Sequence, residues 1–332
     1  MPYESIATEQ TQLHEIAAQL LNPASDIAQL SAAANAFYDL CTVLSTWKVG
    51  ESKATQLPSG KAISPEDAAR CIQDFMRTAK FLQGLEAAIH DAQQRFPDTP
   101  LQILYAGCGP FAPLALAIST RFSPAEIQFT LLDIHPESLD NAQHLFQTFG
   151  LNDRVADFLL ADAATFQWPE LHPLHLVVTE TMQCALDKEP QVAITQNLAP
   201  QLCEGGILVP ENIRVEAILC IAAQEFLTED DQKFRIPLGV LMNLNKTSAS
   251  DSELNRAVVF KAPEQMAEQP HCLLFTTITV FGDLVLNEYE SGLTYPKTVY
   301  ELGRIQAGNV LEFRYQLDGA PGFRCRFLNN EN

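Results

Sequence analysis

A short apolar run that breaks on two closely spaced glycines and passes into a helix-forming stretch narrows the fold more than any other feature: Leu101-Gln-Ile-Leu-Tyr105-Ala-Gly107-Cys-Gly109-Pro-Phe-Ala112. The run reads as a buried strand, and a helix is expected from about Ala112 to Thr120. Glycines let the backbone turn sharply and approach a ligand closely, while free amides at a helix start favour a carboxylate or phosphate. Similar apolar runs recur at 127–132, 156–160, 174–178 and 207–209, separated by helical segments. That alternation argues βαβ units and a mainly parallel sheet. Three of the runs close on acids: Asp133, Asp162 and Glu180. Beside the switch point of such a sheet, Asp133 is placed to accept bonds from two ribose hydroxyls, and Asp162 with Ala163 suits an adenine amino group. Gly107, Gly109 and Ala112 also satisfy GxGxxA, so a nicotinamide dinucleotide stays open as the ligand.

The flanking segments read differently. From Ser5 to about Trp47 the chain is rich in Ala, Leu and Gln, with apolar residues near helical spacing, and helices are expected. Residues 51–63 carry Pro58 and Gly60 and read as a loop. Ser64-Pro65-Glu66-Asp67 then places an N-cap, a proline at the first helical position and acids in the first turn. One or two amphipathic helices follow to Phe96. From Ile213 onward the pattern alternates as strands do. Leu311, Phe313, Tyr315 and Leu317 share one face, mirrored by Phe323, Cys325 and Phe327 after the turn at Asp318-Gly319. The expected fold class is α/β: a Rossmann-like sheet with N-terminal helices and a C-terminal antiparallel β domain. The expected divisions are residues 1–96, 97–212 and 213–332.

Charge restricts the partners. Among 332 residues, Lys+Arg 21 against Asp+Glu 41 gives a formal net charge of −20 with no Lys/Arg run. A nucleic-acid or anionic-membrane partner is disfavoured, and a cationic or neutral substrate is easier to accommodate. The eight cysteines are scattered without a metal-ligand spacing, so reduced structural thiols and no metal are expected. No signal segment or membrane-spanning run is present, which leads to an expectation of a soluble cytoplasmic protein. His135 and His144 read as exposed, and Met182 and Phe111 as core.

Acids ending three successive strands resemble the nucleoside-facing rim of class I S-adenosyl-L-methionine (SAM) methyltransferases. Three further stretches, covering about residues 64 to 215, narrow the resemblance to the protein arginine methyltransferases. Asp74-Phe-Met-Arg77-Thr78, with Phe81 and Ala88-Ile89, is similar to that family's helix before the first strand. The resemblance implies that Arg77 grips the cofactor's carboxylate, and that Tyr105, Gly107, Gly109, Asp133, Asp162 and Ala163 line the cofactor. Glu180 and Glu189, nine positions apart, resemble the double-glutamate hairpin that holds a substrate guanidinium, from a peptide arginine or a small amine. Asn197-Leu-Ala-Pro200 to Gly206-Ile-Leu-Val-Pro210 is similar to the stretch leading into the C-terminal barrel. The implied assembly is a homodimer.

The departures are specific. Tyr105 stands where the family usually has an acid, and Pro110-Phe111 alters the surroundings of the third glycine, closer to the symmetric-dimethylating branch. Thr294-Tyr295-Pro296 replaces a Thr-His-Trp loop, removing the histidine that would pair with Asp74. No YFxxY helix is found beyond Phe37-Tyr38, and no dimerisation arm stands out. The functional expectation is SAM-dependent N-methylation, with Glu180 and Glu189 gripping the acceptor. The alternatives at this stage are methylation of a small metabolite through another nucleophile, a nicotinamide-dependent oxidoreductase, or a non-catalytic SAM-binding module.

Overall fold

The computed structural model describes residues 2–46, 53–169, 171–227, 233–250, 254 and 256–328. It opens with two helices, α1 (Pro2–Leu21) and α2 (Ile27–Leu44). Leu13, Ala17 and Leu20 recur at helical spacing and are buried, facing α2's Leu30, Ala34 and Phe37 in a common core. Asp26 starts α2 with a capping box: its side chain accepts the Gln29 N–H, and the Gln29 side chain accepts the Asp26 N–H. Trp47, and residues 51 and 52 of the expected loop, lie outside the described residues.

The rest of that expected loop contains a small hairpin, β1 (Thr55–Leu57) paired with β2 (Gly60–Ala62). Three-residue strands carry too little pattern to be read locally. This pair is tied to distant chain instead: the Gly319 N–H donates to Pro58 O at 2.7 Å and the Lys61 N–H to Lys188 O at 2.8 Å. The next helix, α3 (Pro65–Arg70), starts as its residues dictate, with Ser64 Oγ accepting the Asp67 N–H. A single 3-10 turn separates it from α4 (Phe75–Arg95). Asp74 breaks the run with ψ 82° and caps α4 by accepting the Arg77 N–H.

Five parallel strands form the central sheet: β3 (Leu101–Ala106), β4 (Ile127–Asp133), β5 (Val155–Leu160), β6 (Leu176–Thr179) and β7 (Ile207–Val209), in the order β5-β4-β3-β6-β7. Three helices pack around it: α5 (Pro113–Ile118), α6 (Pro136–Thr148) and α7 (Gln191–Leu198). The first is shorter than its sequence suggests, because Ala112 adopts a left-handed conformation (φ 40°) and Pro113 sets the first helical turn. Strand order reverses on either side of β3, so the crevice for a ligand opens at the carboxyl ends of β3 and its neighbours.

His175, just before β6, is a buried structural imidazole. Its Nδ1 accepts the Gln102 N–H at 2.8 Å and its ring packs on Phe96 at 4.6 Å between centroids. Burial holds its pKa below the ordinary 6.5. As pH falls below 6.5 the unfolded chain therefore takes up the proton first. Stability is fully present above 6.5 and is lost as pH drops toward the folded value. Thermal melts of the wild type against His175→Gln are expected to show that the acid-side loss of Tm is smaller in the variant; parallel curves would refute this.

The remaining chain is antiparallel. One sheet contains β8 (Asn212–Cys220), β9 (Arg235–Asn245), β11 (His271–Phe281), β12 (Leu284–Leu286) and β13 (Lys297–Thr298) around α8 (Ala222–Leu227). The other joins β10 (Val258–Lys261), β14 (Val310–Gln316) and β15 (Gly322–Leu328). The terminal hairpin has the expected register: Leu311, Phe313 and Tyr315 oppose Phe327, Cys325 and Phe323. One apolar cluster runs from α1 through the parallel sheet to β14, so these segments share a core. No helix among the described residues is long and apolar enough to cross a membrane.

Candidate active site

All nine site residues expected from the sequence line one crevice of about 840 Å³, its open mouth included. It lies at the carboxyl ends of β3, β4, β5 and β6, roofed by β2 and by the start of α4.

The floor is the glycine turn. Gly107 and Gly109 take φ of 76° and 65°, a region that side-chain-bearing residues rarely adopt. A Cβ on Gly107 would lie 2.4 Å from Thr181 Cγ2. The turn is clamped to β4, because the Gly107 N–H donates to Leu132 O at 2.8 Å. Asp133 ends β4 with both carboxylate oxygens engaged: Oδ2 accepts the Gly109 N–H at 2.8 Å and Oδ1 the His135 N–H at 2.9 Å. Each oxygen keeps a second lone pair for a ligand. Asp162 lies two residues beyond β5 and accepts the Ala164 N–H at 2.9 Å, a turn that places Ala163 against the crevice. Tyr105 is buried in β3 between Leu131 and Val178, at the crevice edge.

His135 corrects the sequence reading. It is buried rather than exposed, 3.4 Å from Asp133 Oδ1 through Nδ1 and 3.1 Å from Thr55 Oγ1 through Nε2. The hairpin β1–β2 supplies the cover, which no local pattern could announce.

Charge gathers at the end of β6. Glu180 Oε2 accepts a bond from Arg77 Nε at 2.6 Å and a second from Arg77 Nη2, while Glu180 Oε1 is buried without a hydrogen-bond partner among the described residues. Burial pushes the Glu180 carboxyl up to about 7; Arg77 opposes that shift and Glu189 adds to it. Glu189 is itself buried, and desolvation raises its pKa against the pull of Gln183, Arg77 and Lys61. The Arg77 guanidinium stays charged, since Glu180 outweighs its burial. Glu189 precedes Pro190, the N-cap of α7, and its N–H donates to Asp187 O at 2.8 Å. Two acids and a fork-shaped cation thus converge on one buried spot from residues 77, 180 and 189.

Asp74 does not pair with Arg77 across the helix surface. Its Oδ2 accepts Ser291 Oγ–H at 2.7 Å and the Gly292 N–H at 2.9 Å. Ser291 and Gly292 therefore partner Asp74 and tie the antiparallel region to the N-cap of α4. Nothing in the sequence around Ser291 signals this. Cys71, expected as a plain structural thiol, also lines the crevice, with its pKa raised by burial. Among the described residues, no group of three or more His, Cys, Asp or Glu side chains is placed to hold a metal ion.

No protein-family model matches the chain, and no curated protein matches it by sequence. Among solved structures it is similar to the Trypanosoma brucei PRMT1 enzyme–prozyme heterotetrameric complex with AdoHcy, with a TM-score of 0.54 and 13% identity. The likeness covers 79% of this chain and 93% of that one. It is a likeness of fold: N-terminal helices, a Rossmann-like parallel sheet, and a barrel-like antiparallel region.

Proposed function

We propose that this chain is a SAM-dependent methyltransferase that transfers a methyl group to a nitrogen of a cationic or neutral substrate. The observation that carries the reading is Glu180 Oε1, a buried carboxylate oxygen without a hydrogen-bond partner among the described residues, in a residue lining a crevice whose floor is a glycine turn and whose rim carries Asp133 and Asp162. The neighbouring fold was solved with AdoHcy, the demethylated form of that cofactor, which supports the same ligand here.

The residues present fit the cofactor. Asp133 offers free lone pairs for ribose hydroxyls, Asp162 for an adenine amino group, and Leu132, Ile134 and Ala163 an apolar wall. Arg77 spends one N–H of Nε and one of Nη2 on Glu180, and its five-donor guanidinium has further N–H groups to offer the cofactor's carboxylate. The cofactor supplies an electrophilic methyl group on a sulfonium. Glu180 and Glu189 do the rest by position and charge. Oε1 accepts an N–H from the acceptor and turns its nitrogen toward that methyl, and the two carboxylates offset the positive charge carried through the displacement. Bound SAM would supply the methyl carbon for the new C–N bond, with its thioether as the leaving group, and Glu180, its carboxyl raised by burial to about 7, would take the proton the nitrogen sheds.

Calorimetry with S-adenosylhomocysteine is expected to show one site with micromolar affinity, and no heat with NAD. The reverse preference would replace this reading with the nicotinamide one.

A further inference from the structure

The acidic pair sits under a closed band of backbone. The segment 185–190, which carries Glu189, is bonded from three sides. Lys61 N–H donates to Lys188 O at 2.8 Å, Lys188 N–H to Pro321 O at 2.7 Å, and Tyr315 Oη–H to Leu186 O at 2.6 Å. The two covering pieces also join each other, since Gly319 N–H donates to Pro58 O at 2.7 Å and Gln56 Nε2 to Gly319 O at 2.7 Å. The fit is tight: a Cβ on Gly60 would lie 2.9 Å from Lys188 O and 3.0 Å from Pro190 N. Glu189 is left 6% exposed and the Glu180 side chain 11%. An acceptor held between them has its reacting end among buried groups.

The band brings one cation of its own. Lys61 lines the crevice, and its charge reaches Glu189. Lys188 and Lys297 are both drawn to Asp187, at 3.9 and 2.7 Å. Lys61 has no carboxylate within ion-pair distance among the described residues. With Arg77 bonded to Glu180, Lys61, exposed at the crevice, is the cation available to an acid on the ligand.

We propose that the acceptor is a small zwitterion, a guanidine or amine that also bears a carboxylate, with its cationic nitrogen on Glu180 and Glu189 and its carboxylate on Lys61. This rests on the methyltransferase reading above and specifies its substrate class. Peptide arginine becomes the disfavoured acceptor, because Leu57, Lys61 and Ala62 of the bonded hairpin line the crevice and the peptide's flanking chain would have to pass them.

The test uses the full chain with three probes: L-arginine, its decarboxylated analogue agmatine, and an arginine-containing tripeptide blocked at both ends. Binding is read by calorimetry in the presence of S-adenosylhomocysteine, and labelled methyl transfer is read in parallel. L-Arginine is expected to bind best, and Lys61→Gln should cut the L-arginine-to-agmatine selectivity about tenfold, the size of one lost charge-assisted contact. Lys61→Arg should restore most of it. Tripeptide preference, an unchanged selectivity ratio in Lys61→Gln, or no binding of L-arginine overturns the proposal. If S-adenosylhomocysteine still binds in those cases, the methyltransferase reading survives; if it does not, both fall.

Discussion

Glu180→Gln is expected to leave S-adenosylhomocysteine affinity within about twofold while lowering kcat by about 10²–10³, the loss seen when one preorganised electrostatic group is removed. The amide keeps the shape of the side chain and loses the charge that offsets the acceptor's cation. Retained turnover would remove Glu180 from its role. The wild-type pH profile reports on the same group. With its carboxyl raised to about 7, kcat/KM should fall as pH drops below that value, because a protonated Glu180 can neither hold a guanidinium nor take its proton. Stability should move the other way. The folded state holds more protons than the unfolded chain between the ordinary 4.5 and about 7, so this group's contribution is fully present below 4.5 and declines as pH rises through that window. A Glu180→Gln variant should lose that slope.

Arg77→Ala should be the most destabilising single change at the site. It leaves Glu180 buried beside Glu189 with no counter-ion, and breaking one side of a buried pair typically costs about 3–5 kcal/mol. For a chain of 332 residues Tm should drop by roughly 4–7 °C, at about 1.4 °C per kcal/mol. S-adenosylhomocysteine affinity should fall at least about tenfold, since the same guanidinium holds the donors left for its carboxylate. Arg77→Lys should recover part of the stability and little of the affinity, because an ammonium restores charge without the planar fork. Melting curves and calorimetry on the two variants separate these effects. An unchanged Tm in Arg77→Ala would mean the Arg77–Glu180 pair adds nothing to the fold.

Much of the sheet was legible. Strands β3 to β7 fall where the apolar runs lie, within a residue or two, because buried parallel strands read as continuous runs and glycine turns mark their ends. The acids at 133, 162 and 180 reach one crevice for the same local reason: a residue just past the carboxyl end of a parallel strand faces the open edge of the sheet. The terminal hairpin was also readable from its alternation alone. Cover and clamping were not. The hairpin at 55–62 is too short to carry a period, and its hydrogen-bond partners lie at 188 and 319. His135 looked like a solvated residue near a helix start until Thr55 and Asp133 closed around it. Ser291 is an ordinary loop serine in sequence and a ligand of Asp74 in the fold.

Periodicity and strand-end placement are properties of neighbouring residues, so the amino-acid sequence by itself determined the parallel sheet, the glycine floor and the ring of acids around it. Which polar groups meet is a matter of residues a hundred or more apart: Arg77 with Glu180, Asp74 with Ser291, Pro58 with Gly319. Such pairings depend on how whole elements pack, and packing also sets the burial that lifts the Glu180 carboxyl. Only the tertiary structure decided that Glu180 is salt-bridged through one oxygen while the other, buried, has no hydrogen-bond partner among the described residues.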